Sequence, residues 1–244
     1  VYGEIAPTAV DTLGLISREP VGVVAAIVPW NFPLLMATWK VAPALAAGNS
    51  VILKPSERSP LSAVRLAALA AEAGIPEGVF NVLPGHGERT GEPLALHMDV
   101  DVLAFTGSTA VGRTLLQCAG RSNLKRVWLE CGGKSPNLVF ADAPDLDAAA
   151  KAAATGIFYN QGEGCTAASR LPVQPSIQAE FVHRVLAHAE HMQPGHPLDP
   201  QASMGALVDA AHAGRVLDYI ARGQAEGARL LLGGKRVEVV DGGS

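Results

Sequence analysis

Three short stretches of this sequence contain residue types that could do chemistry. NQGEGC places Cys165 in a Gly-rich turn, and RVWLEC places Glu130 within an apolar run. KPSE places Lys54 and Glu57 three residues apart. A nucleophilic cysteine needs solvent access and a stabilised thiolate, and a carboxylate can act as a general base or accept hydrogen bonds from ribose hydroxyls. The alternatives are a small buried apolar cysteine, a solvated salt bridge, and a carboxylate held by structural hydrogen bonds.

A fourth stretch, GSTAVGRT at residues 107–114, has the glycine spacing of a phosphate-binding P-loop. Gly107 permits close backbone approach, and Ser108 begins a predicted helix whose N-terminal dipole attracts a phosphate. Arg113 stands where the P-loop has lysine, and NLVFAD could imitate the partner strand with Asp142 at its end. A nucleoside triphosphatase is therefore an alternative, disfavoured because arginine is a poor substitute for the compact lysine charge.

Strands and helices alternate along the first part of the sequence, which predicts an α/β fold with a doubly wound parallel sheet. Ser59, Pro60 and Gly74 are the predicted N-cap, first-turn residue and stop of the second helix. Ligands of such sheets bind beyond the carboxyl ends of the strands, so the polar and Gly-rich segments there form the candidate site. The predicted strands are 21–30, 50–57, 80–85, 100–107, 126–131 and 136–141, and the predicted helices are 32–49, 59–74, 91–97 and 108–119.

The pattern changes after Asp142, where an Ala-rich helix runs into the NQGEGC turn. Two amphipathic helices follow, at 176–192 and 208–227, with short predicted strands at SRLPV (169–173) and ARLLLGG (228–234). A boundary at GGKSP divides the sequence into residues 1–133 and 134–244. We expect a doubly wound cofactor domain followed by part of an α/β catalytic domain.

Composition narrows the function classes. The chain has 244 residues, 48% hydrophobic and 17% charged, with a net charge of −4 and no basic block, so nucleic acid is not an expected partner. No apolar run is long enough for a membrane span, and no metal-ligand spacing is present among the three cysteines and seven histidines. The odd cysteine count favours a cytoplasmic setting. The ends, Val1 and a Gly-rich tail, lead us to expect a piece of a longer protein.

Taken together, these segments resemble the aldehyde dehydrogenase superfamily over essentially the whole chain and in the family's order. The residues that carry the resemblance are PWNFP (29–33), ALAAGNSVILKPSE (44–57), FTGSTAVG (105–112), LECGGKSPN (129–137) and NQGEGCTAASR (160–170).

The resemblance implies NAD-dependent oxidation of an aldehyde to a carboxylic acid. Cys165 would attack the aldehyde carbon, the Asn31 amide and the Cys165 backbone N–H would hold the oxyanion, and Glu130 would activate water to hydrolyse the thioester. Lys40 is a weaker candidate for a supporting role. Lys54 and Glu57 would hold the adenosine ribose, which favours NAD over NADP. The implied cofactor-binding residues are Ile27, Pro29, Trp30, Lys54, Glu57, Gly87, Gly107, Ser108 and Gly112.

The implied substrate is a small-molecule aldehyde. NLKRVWLECGGKSPN, DAPDLD and QPGHPLDPQASMGALVD resemble the branch that oxidises ω-amino, γ-glutamylamino or guanidino aldehydes in putrescine and arginine breakdown. Full-length members form homo-oligomers and are about twice as long, in line with several domains. Gly164, Ala168 and Pro172 depart from the family pattern, so a remnant that binds NAD without turnover is the second alternative.

Overall fold

Parallel strands and helices alternate through the first of two units into which the chain divides, one ending at Cys131 and the other beginning at Gly132. The structure, a computed structural model, describes residues 2–237. The glycines that end the tail therefore lie outside the described residues. Strands of the first unit are β1 Glu4–Ala6, β2 Gly14–Ile16, β3 Val23–Ile27, β4 Ser50–Lys54, β5 Phe80–Val82, β6 Val102–Gly107 and β7 Arg126–Cys131. Its α-helices are α1 Pro33–Ala46, α2 Leu61–Glu72, α3 Glu92–Leu96 and α4 Thr109–Gly120.

Strands β3 to β7 form one parallel sheet in the order β5-β4-β3-β6-β7. The chain moves outward from β3 through β4 to β5, and then returns to the other side of β3 with β6 and β7. This is the predicted doubly wound arrangement, with its topological switch point between β3 and β6.

The sheet is covered on both faces because successive side chains of a strand point to opposite sides. Ala25 and Ile27 of β3 belong to one buried cluster with Leu103, Phe105 and Leu115. Ala26 of β3, and Val28 just after it, join a second cluster that includes side chains from α1 and α2. Burial on both faces explains why the strands read as continuous apolar runs.

Strands β1 and β2 form a separate antiparallel hairpin, with Glu4 opposite Ile16. This hairpin was not predicted, because its three-residue strands give too short an alternation for a period of two to be recognised.

The helix stops follow the predicted glycines, but one start does not. Gly48 and Gly74 adopt φ angles of 83° and 88°, the left-handed conformation in which helices commonly end. The Ser59 N-cap prediction is wrong, because α2 begins at Leu61 and Pro60 occupies the cap position. Within the described residues, the buried Ser59 hydroxyl has no hydrogen-bond partner.

The second unit is built mainly from helices α5 Leu146–Phe158, α6 Gln178–Glu190 and α7 Ala210–Ala225. Asp145 caps α5 by accepting hydrogen bonds from the backbone N–H groups of Asp147 and Ala148, both at 2.9 Å. Phe181 of α6 is fully buried among apolar residues of α5 and of the segment containing Val139.

The strands predicted for this unit are wrong as continuous elements. Segments 136–141 and 169–173 meet only through isolated parallel bridges, Pro136 with Arg170 and Val139 with Val173. Asn137 and Val139 donate hydrogen bonds to the carbonyls of Arg170 and Pro172, but Pro172 has no N–H to donate in return, so the ladder is interrupted there. Segment 228–234 is not a strand either, and among the described residues no strand lies beside it to supply hydrogen bonds. Within residues 2–237, no helix is both long and apolar enough to cross a bilayer.

Candidate active site

The carboxyl edge of the sheet in the first unit gathers most of the predicted polar residues. Ile27, the last residue of β3, pairs in register with Lys54 on one side and Phe105 on the other. On the next strand pair, Thr106 lies opposite Glu130. Since the switch point lies between β3 and β6, the crevice in which parallel sheets bind ligands opens at this edge.

The GSTAVG segment forms the turn from β6 into α4. Ser108 is the N-cap of α4, and its hydroxyl accepts a hydrogen bond from the Val111 N–H at 3.3 Å, as the sequence predicts. A Cβ on Gly107 would lie 2.4 Å from the Phe105 ring, so any larger residue here would have to displace that ring. Arg113 is an exposed residue of α4.

Gly112 has a packing role that the sequence did not reveal. It is buried, and a Cβ there would lie 3.2 Å from Leu129 and 3.4 Å from Cys131 of β7. Its missing side chain therefore lets α4 approach β7 closely. Contact of Gly112 with a cofactor stays a prediction.

Lys54 and Glu57 form a partly buried ion pair, with 3.4 Å between Lys54 Nζ and Glu57 Oε2. The Lys54 side chain is buried, whereas Glu57 is 39% exposed and available to a ligand. Burial works against the charged form of Glu57, but its backbone hydrogen bond and the charges of Lys54 and His86 outweigh that effect, so the pKa of the Glu57 carboxyl lies below its usual value. Glu57 is therefore an ionised acceptor at neutral pH.

Lys40, Thr106 and Glu130 form a polar group at the same edge. Lys40 Nζ donates a hydrogen bond to Thr106 Oγ1 at 2.6 Å. Burial lowers the pKa of the Lys40 ammonium, and attraction to the Glu130 carboxylate opposes that shift. Glu130 itself is exposed, which leaves its carboxylate accessible to water. The contacts of Lys40 therefore support a role in the site more strongly than its position in the sequence did. Sequence reasoning did not name Thr106 as a candidate site residue.

The β3–α1 connection contributes Pro29, Trp30 and Asn31, which are all half-buried. Arg58 stacks over the Trp30 ring at 6.0 Å from its centroid, within the range of a cation–π interaction. The Ile27 side chain lies in the core, so a cleft-lining role for this residue depends on its main chain. Gly87 begins a π-helical turn, Gly87–Gly91, and is exposed.

In the second unit, Cys165 is half-buried and lines a cavity of about 320 Å³. The other lining residues are Gly132, Gly133, Lys134 and Gly164. Three of these are glycines, which have no side chains to fill the space beside Cys165. The sequence prediction that Cys165 differs from the buried Cys118 is confirmed in its exposure.

The segment before Cys165 contains a buried acid that sequence reasoning passed over. Glu163 lies within the NQGEGC stretch, yet its side chain is only 5% exposed and lies 3.5 Å from His212. Its signal in the sequence was an acidic residue within a Gly-rich turn. Sequence alone does not distinguish a buried acid in such a turn from an acid in a solvated loop.

The chain matches the family described as "Aldehyde dehydrogenase family" over residues 1–243. It is 60% identical over 233 residues to the NADP/NAD-dependent aldehyde dehydrogenase PuuC of Escherichia coli, covering 96% of this chain and 47% of that protein. The chain therefore belongs to the aldehyde dehydrogenase family, and it spans about half the length of the curated relatives it matches.

Two solved structures are similarly close. A mutant of the indole-3-acetaldehyde dehydrogenase AldA from P. syringae, in complex with NAD+ and IAA, has 61% identity and a TM-score of 0.94, covering 98% of this chain and 48% of that one. The γ-glutamyl-γ-aminobutyraldehyde dehydrogenase of Burkholderia cenocepacia has 63% identity and a TM-score of 0.93, with the same coverage of 98% and 48%. These matches confirm the family resemblance and the predicted fold class.

Proposed function

We propose that this chain forms the cofactor-binding and nucleophile-bearing parts of an NAD-dependent aldehyde dehydrogenase. Residues 1–133 would bind NAD, and residues 134–244 would belong to the catalytic domain. The observation that carries the proposal is the carboxyl edge of the parallel sheet, where the Lys54–Glu57 pair, the capped start of α4 and Glu130 meet in one unit.

The residues at this edge fit a dinucleotide. The start of α4 offers backbone N–H groups and a positive dipole end for a pyrophosphate. Gly107 leaves that turn without a side chain, and Glu57 presents an ionised acceptor for the vicinal hydroxyls of a ribose. NAD, when bound, would accept the hydride released from the aldehyde carbon.

The chain's own residues would supply the remaining chemistry. The Cys165 thiolate would attack the aldehyde carbon, and the Asn31 amide and the Cys165 N–H would stabilise the resulting oxyanion. Glu130 would then take a proton from water so that hydroxide hydrolyses the thioester, which releases the carboxylic acid and restores the thiol. Lys40 would support Glu130 electrostatically, in line with the attraction between the two groups.

An amino- or γ-glutamylamino-aldehyde is the proposed substrate class. The resemblance of three segments to the branch that oxidises such aldehydes supports it, and so does the name of the B. cenocepacia relative. The relative with 61% identity is named for a different aldehyde, indole-3-acetaldehyde. The experiment therefore compares amino-type aldehydes with indole-3-acetaldehyde. The E. coli relative is named for both NADP and NAD, whereas Glu57 favours NAD because its charge repels a 2′-phosphate.

Calorimetric titration of the chain with NAD, NADP and magnesium-ATP tests the cofactor part of the proposal. We expect saturable NAD binding, weaker NADP binding and no ATP binding. Selective ATP binding would instead support the triphosphatase alternative for GSTAVGRT.

NADH formation with γ-aminobutyraldehyde, its γ-glutamyl derivative and indole-3-acetaldehyde then tests oxidation. NAD binding without oxidation of any aldehyde would favour the second alternative, a cofactor-binding chain that does not turn over. That alternative is motivated by the departures from the family pattern at Gly164, Ala168 and Pro172.

A further inference from the structure

The loop before Cys165 has an unusual backbone. Asn160 and Gln161 adopt φ angles of 49° and 58°, and Gly162 follows at 76°, so three consecutive residues are left-handed. Residues other than glycine adopt this conformation at a steric cost, and it persists only where surrounding contacts hold it. The loop that positions Cys165 therefore requires external support.

Two side chains of this loop contact the same neighbouring segment, residues 206–208. Gln161 Nε2 donates a hydrogen bond to the Ala206 carbonyl at 3.3 Å. Glu163 Oε1 accepts a hydrogen bond from the Val208 N–H at 3.2 Å. The segment leads directly into α7, whose N-cap Asp209 accepts a hydrogen bond from the His212 N–H at 2.6 Å. The loop is thus joined to the beginning of a regular helix.

Glu163 makes the more demanding of the two contacts because its carboxyl is buried. Burial raises the pKa of the Glu163 carboxyl, and the nearby Asp209 adds to that effect. The Val208 N–H and His212 act in the opposite direction. A carboxyl whose pKa is raised by folding stabilises the fold below its unfolded-state pKa, and this contribution is lost as the pH rises through its folded-state pKa. Ionised Glu163 therefore does not favour global folding.

The His212 ring is oriented toward Glu163 by Arg215. Arg215 Nη2 lies 3.0 Å from His212 Nδ1, and a guanidinium can only donate. In the tautomer of His212 that accepts at Nδ1, the ring proton is carried by Nε2, the atom 3.5 Å from Glu163 Oε1.

We propose that Glu163 is a positioning residue, which holds the left-handed loop 160–162, and with it Cys165, against the segment Val208–His212. Glu163 acts through the loop and the hydrogen bond to Val208, and it need not touch the substrate. The proposal rests on the proposed function only in the role given to Cys165 as the nucleophile.

Hydrogen exchange and alkylation by iodoacetamide, both resolved by peptide mass spectrometry, test this inference on the full chain without requiring turnover. In Glu163→Ala we expect about tenfold faster exchange across residues 160–165 and at Val208, the effect of losing one buried hydrogen bond. Alkylation of Cys165 should accelerate, because local opening exposes a half-buried thiol. Cys131, half-buried in the first unit, is the internal control and should react at an unchanged rate.

Glu163→Gln is the matched variant. Its carboxamide oxygen can still accept from Val208, so exchange and alkylation should return close to the wild-type rates, while thermal stability is unchanged or higher. His212→Ala is a second variant at a less buried position, and it should accelerate Cys165 alkylation to a smaller extent. If Glu163→Ala does not fold, the exchange and alkylation rates of His212→Ala are compared with those of Glu163→Gln to test the proposal.

Wild-type exchange and alkylation in Glu163→Ala, or in His212→Ala where the first variant is not folded, would overturn the proposal. An equal effect on Cys131 would overturn it as well, because the change would then be global. If the loop responds as expected but no aldehyde reacts with Cys165, the proposed function fails and the positioning role stands.

Discussion

Gly107→Ala tests whether the turn from β6 into α4 is built as tightly as the structure shows. The added Cβ would lie 2.4 Å from the Phe105 ring, and ordinary contact begins at 3.4 Å, so the ring must move by about 1 Å. Phe105 is 4% exposed and packs within the core on this face of the sheet. Overpacking of this kind costs about 1–3 kcal/mol, and we expect the first unit to lose that much stability.

Gly120→Ala is the matched control at the other end of the same helix. A Cβ there meets nothing within 4 Å, and Gly120 does not have a positive φ. Replacing a helical glycine by alanine stabilises by about 0.4–1 kcal/mol, so this variant should change stability in the opposite direction.

Tryptophan fluorescence during urea unfolding reports the stability of the first unit in both variants. The three tryptophans, Trp30, Trp39 and Trp128, all belong to the first unit. The urea midpoint should fall in Gly107→Ala and hold or rise in Gly120→Ala, with the slope unchanged. Equal midpoints in Gly107→Ala and the wild type would refute the steric argument for this turn.

Three further predictions concern the cofactor, the nucleophile and the hydrophobic core of the second unit. Glu57→Gln should lower the ratio of NAD to NADP affinity by calorimetry, because a neutral acceptor no longer repels a 2′-phosphate; an unchanged ratio would contradict the assignment of Glu57. Cys165→Ser should abolish aldehyde-dependent NADH formation and leave NAD binding intact, and full activity would exclude covalent catalysis at this residue. Phe181→Ala removes a fully buried ring and should destabilise the second unit by about 3–5 kcal/mol. Faster amide exchange in α5 and α6 would report that loss, whereas unchanged exchange would show that Phe181 is not central to this core.

The parallel sheet was predictable because its local signals agree. Continuous apolar strands, glycine stops such as Gly74 and the Ser108 cap all follow from short-range chemistry, and the structure confirms them. The predictions failed where pairing decides the outcome. Segments 136–141, 169–173 and 228–234 have strand-like composition, but a strand also requires a neighbour with available donors and acceptors, and Pro172 lacks its donor.

The site shows the same division. The sequence singled out Cys165, Glu130, Lys54 and Glu57 as candidates through their residue types and their places at strand ends or in a Gly-rich turn. It could not reveal that Lys40 donates to Thr106 from a helix 66 residues away, because contacts between distant segments depend on the packing of the helix on the sheet.

Taken alone, the sequence determined the family, the alternation of strands and helices in the first unit, and the residue types available for chemistry. These follow from local propensity and from motifs of a few residues. Only the tertiary structure decided that Gly112 serves helix packing, that Ile27 faces the core and that Glu163 is buried against Val208 and His212. Burial and pairing are properties of the packed chain, since each depends on residues that lie far apart in the sequence.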